Sequence, residues 1–209
     1  MSFTTRFLAN LITVTTRRWR RGPHHPEWGL LLETAVETLR KDGEVQLAGT
    51  LDDWRRNQEA AAQTSPAARG VATSEGEIAG RPALILERTL GPSHRGTILY
   101  LHGGGYVTGS PRTHRSMVSH LVAQTGVRAV LLDYRLAPEH PYPAAIDDTV
   151  AAIRALYKGG IPPAELVLAG DSAGAGLCLA AMIELRDRGQ PLPVAATLLC
   201  PWVDLEGTL

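Results

Sequence analysis

Apolar residues in the first part of the chain recur at the spacing of helices. One helix is predicted from Leu30 to Leu39 and should end before Gly43. Another should begin after Thr50, a favourable N-cap residue that is followed by Asp52 and Asp53 in the first turn, where the helix dipole favours acidic side chains. The pattern therefore predicts an N-terminal region built from helical pieces.

Residues 63–70 interrupt this pattern, because they are rich in Ser, Pro, Ala and Gly. Such a composition disfavours regular secondary structure and predicts a linker. We therefore expect a helical region with its linker over residues 1–70 and a second region over residues 71–209.

Short apolar runs alternate with helical patterns in the second region. The run Val127–Leu132 is almost continuously apolar, as expected of a strand buried on both faces. Alternating strands and helices predict an α/β fold, a mostly parallel sheet flanked by helices. The expected strands are 71–79, 82–89, 97–101, 127–132, 166–169 and 194–200; the expected helices are 111–124, one opened by Pro143, and 174–188. In the predicted helix 111–124, one face is apolar and consists of Met117, Val118, Leu121 and Val122.

The composition gives no support for a nucleic-acid partner. The chain has 21 basic and 21 acidic residues, and so a formal net charge of zero, whereas nucleic-acid-binding surfaces are basic. Cys178 and Cys200 both fall in apolar segments, where we expect buried free thiols. No His/Cys/Asp cluster has the spacing of a metal site, and no cofactor is implied.

The N-terminus does not have the pattern of a membrane span or a signal peptide. Its apolar run, Phe7–Val14, is too short to span a bilayer. The basic cluster Arg17–Arg21 follows that run instead of preceding it. We therefore expect no transmembrane span and a cytoplasmic protein.

The segment around Ser172 carries the clearest chemical signal. An apolar strand leads into Gly170-Asp171-Ser172-Ala173-Gly174, and an Ala-rich helix follows. A G-x-S-x-G pattern between strand and helix is typical of a sharp turn that presents a nucleophilic serine at the helix N-terminus. The bland alternative is a chance match in a chain with 21 glycines.

A second glycine motif lies upstream. The apolar run Thr97–Leu101 leads into His102-Gly103-Gly104-Gly105. Consecutive glycines can turn their N–H groups into a cavity, and one oxyanion donor lowers a barrier by about 3–4 kcal/mol. A phosphate-binding loop is the alternative, but neither a following Lys-Ser/Thr nor G-x-G-x-x-G spacing is present.

With both motifs in this order, the chain resembles the α/β-hydrolase superfamily, and more narrowly its hormone-sensitive-lipase-like esterases. The resemblance extends over roughly residues 70–209 and also rests on Asp133–Ala145 and Pro201–Leu205. It implies an α/β-hydrolase fold with an N-terminal helical cap, and a small-molecule ester with a short or medium acyl chain as substrate. The alternatives for the basic N-terminal segment are a disordered segment and an interfacial amphipathic helix.

The resemblance also implies a role for each matching residue. Ser172 would be the nucleophile. The backbone N–H groups of Gly104, Gly105 and Ala173 would form the oxyanion hole, His102 and Gly103 would shape its loop, and Tyr106 would either line the acyl pocket or simply pack. Asp171 is expected to be structural.

The triad that the family requires is not complete in these residues. All seven histidines precede Ser172, whereas the superfamily order is Ser, then Asp/Glu, then His. The family places its acid and base beyond two further strands. We therefore expect a C-terminally incomplete hydrolase that is weakly active or inactive alone, and an apolar edge strand at 194–200 that favours self-association.

Two other interpretations remain. The chain could be a non-catalytic small-molecule binding protein, like the plant gibberellin receptors that resemble this family, or an enzyme completed by a second chain. The intact motifs at residues 102–105 and 170–174 favour the esterase interpretation, because a binding protein need not keep both.

Overall fold

The structure is a computed structural model that describes residues 3–47 and 49–206. It divides into two compact units, one ending at Trp54 and the other beginning at Arg55. The predicted boundary at residue 70 separates a cap region from the hydrolase core by their expected functions. The division into compact units does not test it, and it stays a prediction.

The first unit contains helices α1 (Phe3–Arg21) and α2 (Leu30–Leu47). The predicted helix end before Gly43 is wrong, because α2 continues through this glycine. A glycine costs a helix about 1 kcal/mol relative to alanine but keeps its N–H donor, so it weakens the helix without ending it. The ion pair Lys41–Glu37, one turn apart at 3.7 Å, supports the helix at this point.

Helix α3 (Leu51–Gln63) begins as the sequence predicts. The Asp53 N–H donates to the Thr50 hydroxyl at 3.2 Å, and the Thr50 N–H donates to the Asp53 carboxylate at 3.1 Å. This reciprocal pair satisfies two N–H groups that would otherwise lack partners at the helix start.

A six-stranded sheet forms the centre of the second unit. The strands are β1 (Val71–Ile78), β2 (Arg81–Arg88), β3 (Thr97–Leu101), β4 (Arg128–Leu132), β5 (Leu166–Asp171) and β6 (Ala195–Leu199), and the helices are α4 (Pro111–Thr125), α5 (Ala144–Lys158) and α6 (Ala173–Asp187), with a short 3₁₀ turn at Pro163–Glu165. The spatial order is β1-β2-β4-β3-β5-β6. β2 is antiparallel to both of its neighbours, and the other pairs are parallel. The predicted mostly parallel sheet flanked by helices is confirmed.

Side-chain alternation in the central strands separates two apolar cores. Leu99 and Leu101 of β3 join the core that contains α5 and α6 residues, while Ile98 and Tyr100 join the core that contains α4 residues. Both faces of β3 are thus covered by helices, which explains its continuous apolar sequence.

Two details of the core differ from the sequence prediction. Helix α4 buries Val118 and Val122, but Met117 and Leu121 are 44% and 37% exposed, because only a narrow stripe of the helix faces the sheet. Cys178 is buried as expected, whereas the expectation of a buried thiol at Cys200 is wrong. Cys200 follows the end of β6 in a left-handed conformation, with φ 46°, where the chain turns away from the core.

The parallel strands bring four loops to one edge of the sheet. The carboxyl ends of β3, β4, β5 and β6 lie side by side, so the segments that follow them meet there. In open α/β sheets this edge is where ligands bind. The two glycine motifs follow β3 and β5, which are direct neighbours.

Strand β6 forms one end of the described sheet, and its alternate residues are exposed. We expect the 209-residue chain to associate through this edge, since unpaired strand edges pair with other chains. Thr197→Lys, in the middle of β6, should shift the mass measured by light scattering towards that of the monomer. Leu192→Lys, an exposed position before the strand, should leave it unchanged. A monomeric unsubstituted chain would contradict the expectation.

Candidate active site

Ser172 lies between β5 and α6 in a strained backbone conformation. Its φ and ψ are 51° and −118°, a region that costs a residue with a side chain about 1–3 kcal/mol. The Ser172 N–H donates to the Leu199 carbonyl at 2.9 Å, and the Trp202 N–H donates to the Ser172 carbonyl at 3.0 Å. The strain is thus held in place by the end of β6 and the segment after it.

The glycines on either side of Ser172 are required by close backbone contacts. A Cβ atom at Gly174 would lie 2.0 Å from the Leu101 carbonyl oxygen and 2.5 Å from that of His102. A Cβ atom at Gly170 would lie 2.7 Å from the same Leu101 oxygen. The turn that carries Ser172 therefore packs directly on the end of β3, where the second glycine motif begins.

The loop after β3 is sharply bent at its glycines. Gly104 and Gly105 have φ values of 124° and 63°, which favour glycine. A Cβ atom at Gly104 would lie 2.2 Å from the Thr108 carbonyl oxygen. The Gly104 carbonyl accepts the N–H groups of Val107 and Thr108 at 3.1 and 2.9 Å, so the bend is closed by its own hydrogen bonds.

His102 is buried beneath this loop. Its Nδ1 lies 2.9 Å from the Gly103 carbonyl, and because a carbonyl only accepts, Nδ1 carries the proton. The ring stacks on Tyr134 with centroids 4.3 Å apart, and the Tyr134 hydroxyl donates to the His102 carbonyl at 2.5 Å. Burial lowers the pKa of His102 to about 4, so the ring is neutral at pH 7.

Asp171 joins the serine turn to the glycine loop. Its Oδ1 accepts from the Tyr100 hydroxyl at 2.9 Å and from the Gly103 N–H at 3.0 Å, and it lies 3.3 Å from Nε2 of His114. Burial raises the pKa of Asp171, but the hydrogen bonds from these three groups outweigh that effect and the pKa is lowered. Asp171 is therefore an anion at neutral pH with a fixed orientation.

An apolar cavity of about 300 Å³ lies on the carboxyl side of the sheet. Tyr106, the residue after the glycine loop, is part of its wall, together with Arg135, Ala137, His140, Tyr142, Pro143, Ala145, Ile146, Ala180 and Leu205. The Tyr106 ring is also 6.3 Å from that of Trp202. These contacts place Tyr106 between the glycine loop and a space large enough for a small ligand.

Arg55 is a residue that sequence reasoning missed. It donates to the carbonyls of Val107 at 2.7 Å and Ala137 at 2.9 Å, and to both carboxylate oxygens of Glu139. These bonds lower the pKa of Glu139 to about 2. Arg55 holds together the loops after β3 and β4, and no local motif around it announces this long-range contact.

Across residues 3–47 and 49–206, no three His, Cys, Asp or Glu side chains come together as a metal site. No helix in these ranges is both long and apolar enough to cross a membrane.

A family model described as "alpha/beta hydrolase fold" matches residues 98–209. An acetyl-hydrolase of Streptomyces hygroscopicus is 54% identical over 109 residues, which are 52% of this chain and 36% of the relative. An esterase of Acinetobacter venetianus is 40% identical over 111 residues, 53% of this chain and 37% of the relative. The crystal structure of an esterase from the bacterial hormone-sensitive lipase family matches with 37% identity and a TM-score of 0.73, over 100% of this chain and 61% of that chain.

The chain belongs to the hormone-sensitive-lipase-like family of α/β-hydrolases. The resemblance seen in the sequence is thereby confirmed. The matched part of this chain spans a little over a third of the length of each of the two curated relatives named above.

The contacts at Gly174 lead to a stability test. We expect Gly174→Ala to lower the free energy of unfolding by about 3 kcal/mol or more, because the new Cβ overlaps backbone oxygens that cannot move freely. Gly43→Ala is the matched control, since Gly43 is also helical and has nothing within 4 Å of the added atom. It should stabilise by up to about 1 kcal/mol. Equal effects of the two substitutions in chemical denaturation would contradict the proposed packing.

The buried neutral His102 leads to a test of pH dependence. Its pKa of about 4 in the folded chain is below its ordinary value of 6.5, so the unfolded chain takes up the proton first as the pH falls. The contribution of neutral His102 to the free energy of unfolding is therefore complete above pH 6.5, and it declines by about 3 kcal/mol as the pH falls to 4.

We expect His102→Gln to reduce the loss of unfolding free energy between pH 6.5 and 4, measured by denaturant titration at each pH. His120→Gln, at an exposed position of α4, should keep the unsubstituted slope. A His102→Gln slope equal to the unsubstituted one would show that His102 is not the group responsible.

Proposed function

We propose that this chain carries the nucleophile and oxyanion hole of a serine carboxylic ester hydrolase for short or medium acyl esters. Ser172 attacks the ester carbonyl, and the N–H groups of Gly104, Gly105 and Ala173 bind the negative oxygen that forms. The observation that carries the proposal is the strained serine turn packed on the glycine loop, with Gly174 in contact with the His102 backbone.

The position of Ser172 at the start of α6 favours this chemistry. The first four N–H groups of a helix have no partner inside it, and Ala173 is the first residue of α6. Its N–H can therefore bind an external oxygen, and the positive helix end favours the charge of the tetrahedral intermediate. The glycines of the bent loop can add further donors because no side chain covers their N–H groups.

A serine nucleophile also needs a base to take its proton. His102 is a poor candidate, because a pKa of about 4 lies far below neutral pH. We do not assign His114 as the base either, because its Nε2 is directed at Asp171. No histidine follows Ser172 in the sequence. We therefore assign the triad acid and base to residues outside these 209, in line with the Ser-Asp/Glu-His order of the superfamily.

Tyr106 and the apolar cavity are assigned to the acyl group. A cavity of about 300 Å³ is at the small end of the usual range for ligand pockets, which favours short or medium chains. The restraint of Val107 and Ala137 by Arg55 keeps the nearby wall in place.

Binding without catalysis is the second candidate function, and the cavity together with the missing base favours it. Such a protein would bind a small apolar molecule beside Tyr106 and would not need Ser172. Completion of the triad by a second chain is the third. Ester turnover, measured with the chain alone and with a supplied C-terminal segment, tests these three candidate functions against one another.

Ester hydrolysis by the unsubstituted chain and by Ser172→Ala tests the assignment, with Ser116→Ala as the control serine. With a p-nitrophenyl ester, all three should be only weakly active when tested alone, because without a base the oxyanion hole and binding supply at most about 10³–10⁴-fold catalysis over water. Supplying the C-terminal segment of a relative, fused or in trans, should raise turnover by about 10⁴-fold unless Ser172 is replaced.

Two results would contradict the proposal. Strong turnover by the unsupplemented chain, lost in Ser172→Ala, would place a base within these residues, and His102 and His140 would be the first to replace. Saturable ligand binding with no turnover under any condition would favour the binding protein.

A further inference from the structure

One carboxylate oxygen connects the serine turn to the glycine loop. Asp171 Oδ1 accepts from the Tyr100 hydroxyl and the Gly103 N–H, and Asp171 directly precedes Ser172. Its other oxygen would lie 2.3 Å from a Cβ atom at Gly103, so the carboxylate is in close contact with the loop. A change in the orientation of Asp171 would therefore shift the loop.

His114 completes the environment of this carboxylate from α4. Its Nε2 lies 3.3 Å from Asp171 Oδ1, and its Nδ1 lies 2.8 Å from the Thr113 hydroxyl and 3.3 Å from the Ser110 carbonyl oxygen. The imidazole is half-buried, with its centroid 6.1 Å from the ring of Tyr100 and 5.6 Å from that of His102. The ring thus lies beside two aromatic neighbours, and its Nε2 is close to the Asp171 carboxylate.

Helix α4 is itself fixed where His114 lies. Ser110 caps it by accepting the N–H groups of Arg112 and Thr113 at 3.1 and 3.2 Å, and the Ser110 N–H donates to the Thr113 hydroxyl at 2.9 Å. His114 therefore reaches Asp171 from a rigid helix start and not from a loop.

We propose that His114 is a positioning residue, which by donating from Nε2 to Asp171 fixes the Gly103 N–H and thereby the Gly104–Gly105 bend beside Ser172. This inference rests on the proposed function of that bend as an oxyanion hole. A donor from α4 restricts the carboxylate in a direction that Tyr100 and Gly103, both on the β3 side, do not supply. Charge-assisted hydrogen bonds of this kind are stronger than neutral ones.

Two substitutions at His114 separate hydrogen bonding from packing. Gln keeps a donor at the position of Nε2 but loses the ring, while Phe keeps the ring against Tyr100 and His102 but loses the donor. His120→Phe, at an exposed position on the same helix, is the control. The readout is the hydrogen-exchange rate of the Gly103 amide, measured by NMR on the 209-residue chain.

We expect exchange at Gly103 to become about tenfold faster in His114→Phe, in line with the loss of a hydrogen bond to a charged group. In His114→Gln and His120→Phe it should stay within about twofold of the unsubstituted rate. Faster exchange in both His114 variants, in Gln alone, or in neither would overturn the proposal, because each of these results assigns the effect to packing or to nothing.

A second measurement needs no substitution and holds even if a variant does not fold. The imidazole ¹⁵N spectrum of the unsubstituted chain should show a proton on Nε2 of His114. A bare Nε2 would overturn the proposal, because it cannot donate to a carboxylate. Neither measurement uses turnover, so failure of the esterase assignment at Ser172 and failure of this positioning role give different results.

Discussion

The close approach of two backbones determines the geometry of this site. The turn after β5 lies so near the end of β3 that the α-carbon of Gly174 can carry no side chain, since a Cβ atom would be 2.0 Å from the Leu101 oxygen. This contact is possible because β3 and β5 are parallel neighbours that end at the same level. It brings a strained serine and a bent glycine loop together before any side chain contributes.

Side chains then fix what the backbone brings together. Asp171 ties the two segments by accepting the Gly103 N–H, and the Tyr134 hydroxyl holds the His102 carbonyl from below. Further out, Arg55 joins the loops after β3 and β4. The polar groups involved are mostly partnered, which is what gives a buried network a single arrangement.

The sequence predicts features that depend on local rules and misses those that depend on long-range contacts. The serine turn, the Thr50 cap and the mostly parallel α/β sheet follow from spacing and residue type. The roles of Arg55 and His114 do not, because each depends on a partner more than fifty residues away. The prediction of buried positions on α4 fails for a related reason. Met117 and Leu121 have apolar side chains, but they stay exposed because of the way that α4 packs on the sheet.

His102 and Asp171, both near Ser172 in the sequence or the fold, differ in charge at neutral pH because their surroundings differ. His102 is buried with a carbonyl as the partner of Nδ1, so burial dominates and the ring stays neutral. Asp171 is only partly buried and receives three donors, so its anion is stabilised. The anion orders the glycine loop, and the neutral ring supports it without adding a positive charge that would compete for Asp171. The two groups thus support the glycine loop in different ways, Asp171 by accepting the Gly103 N–H and His102 by its Nδ1 contact with the Gly103 carbonyl.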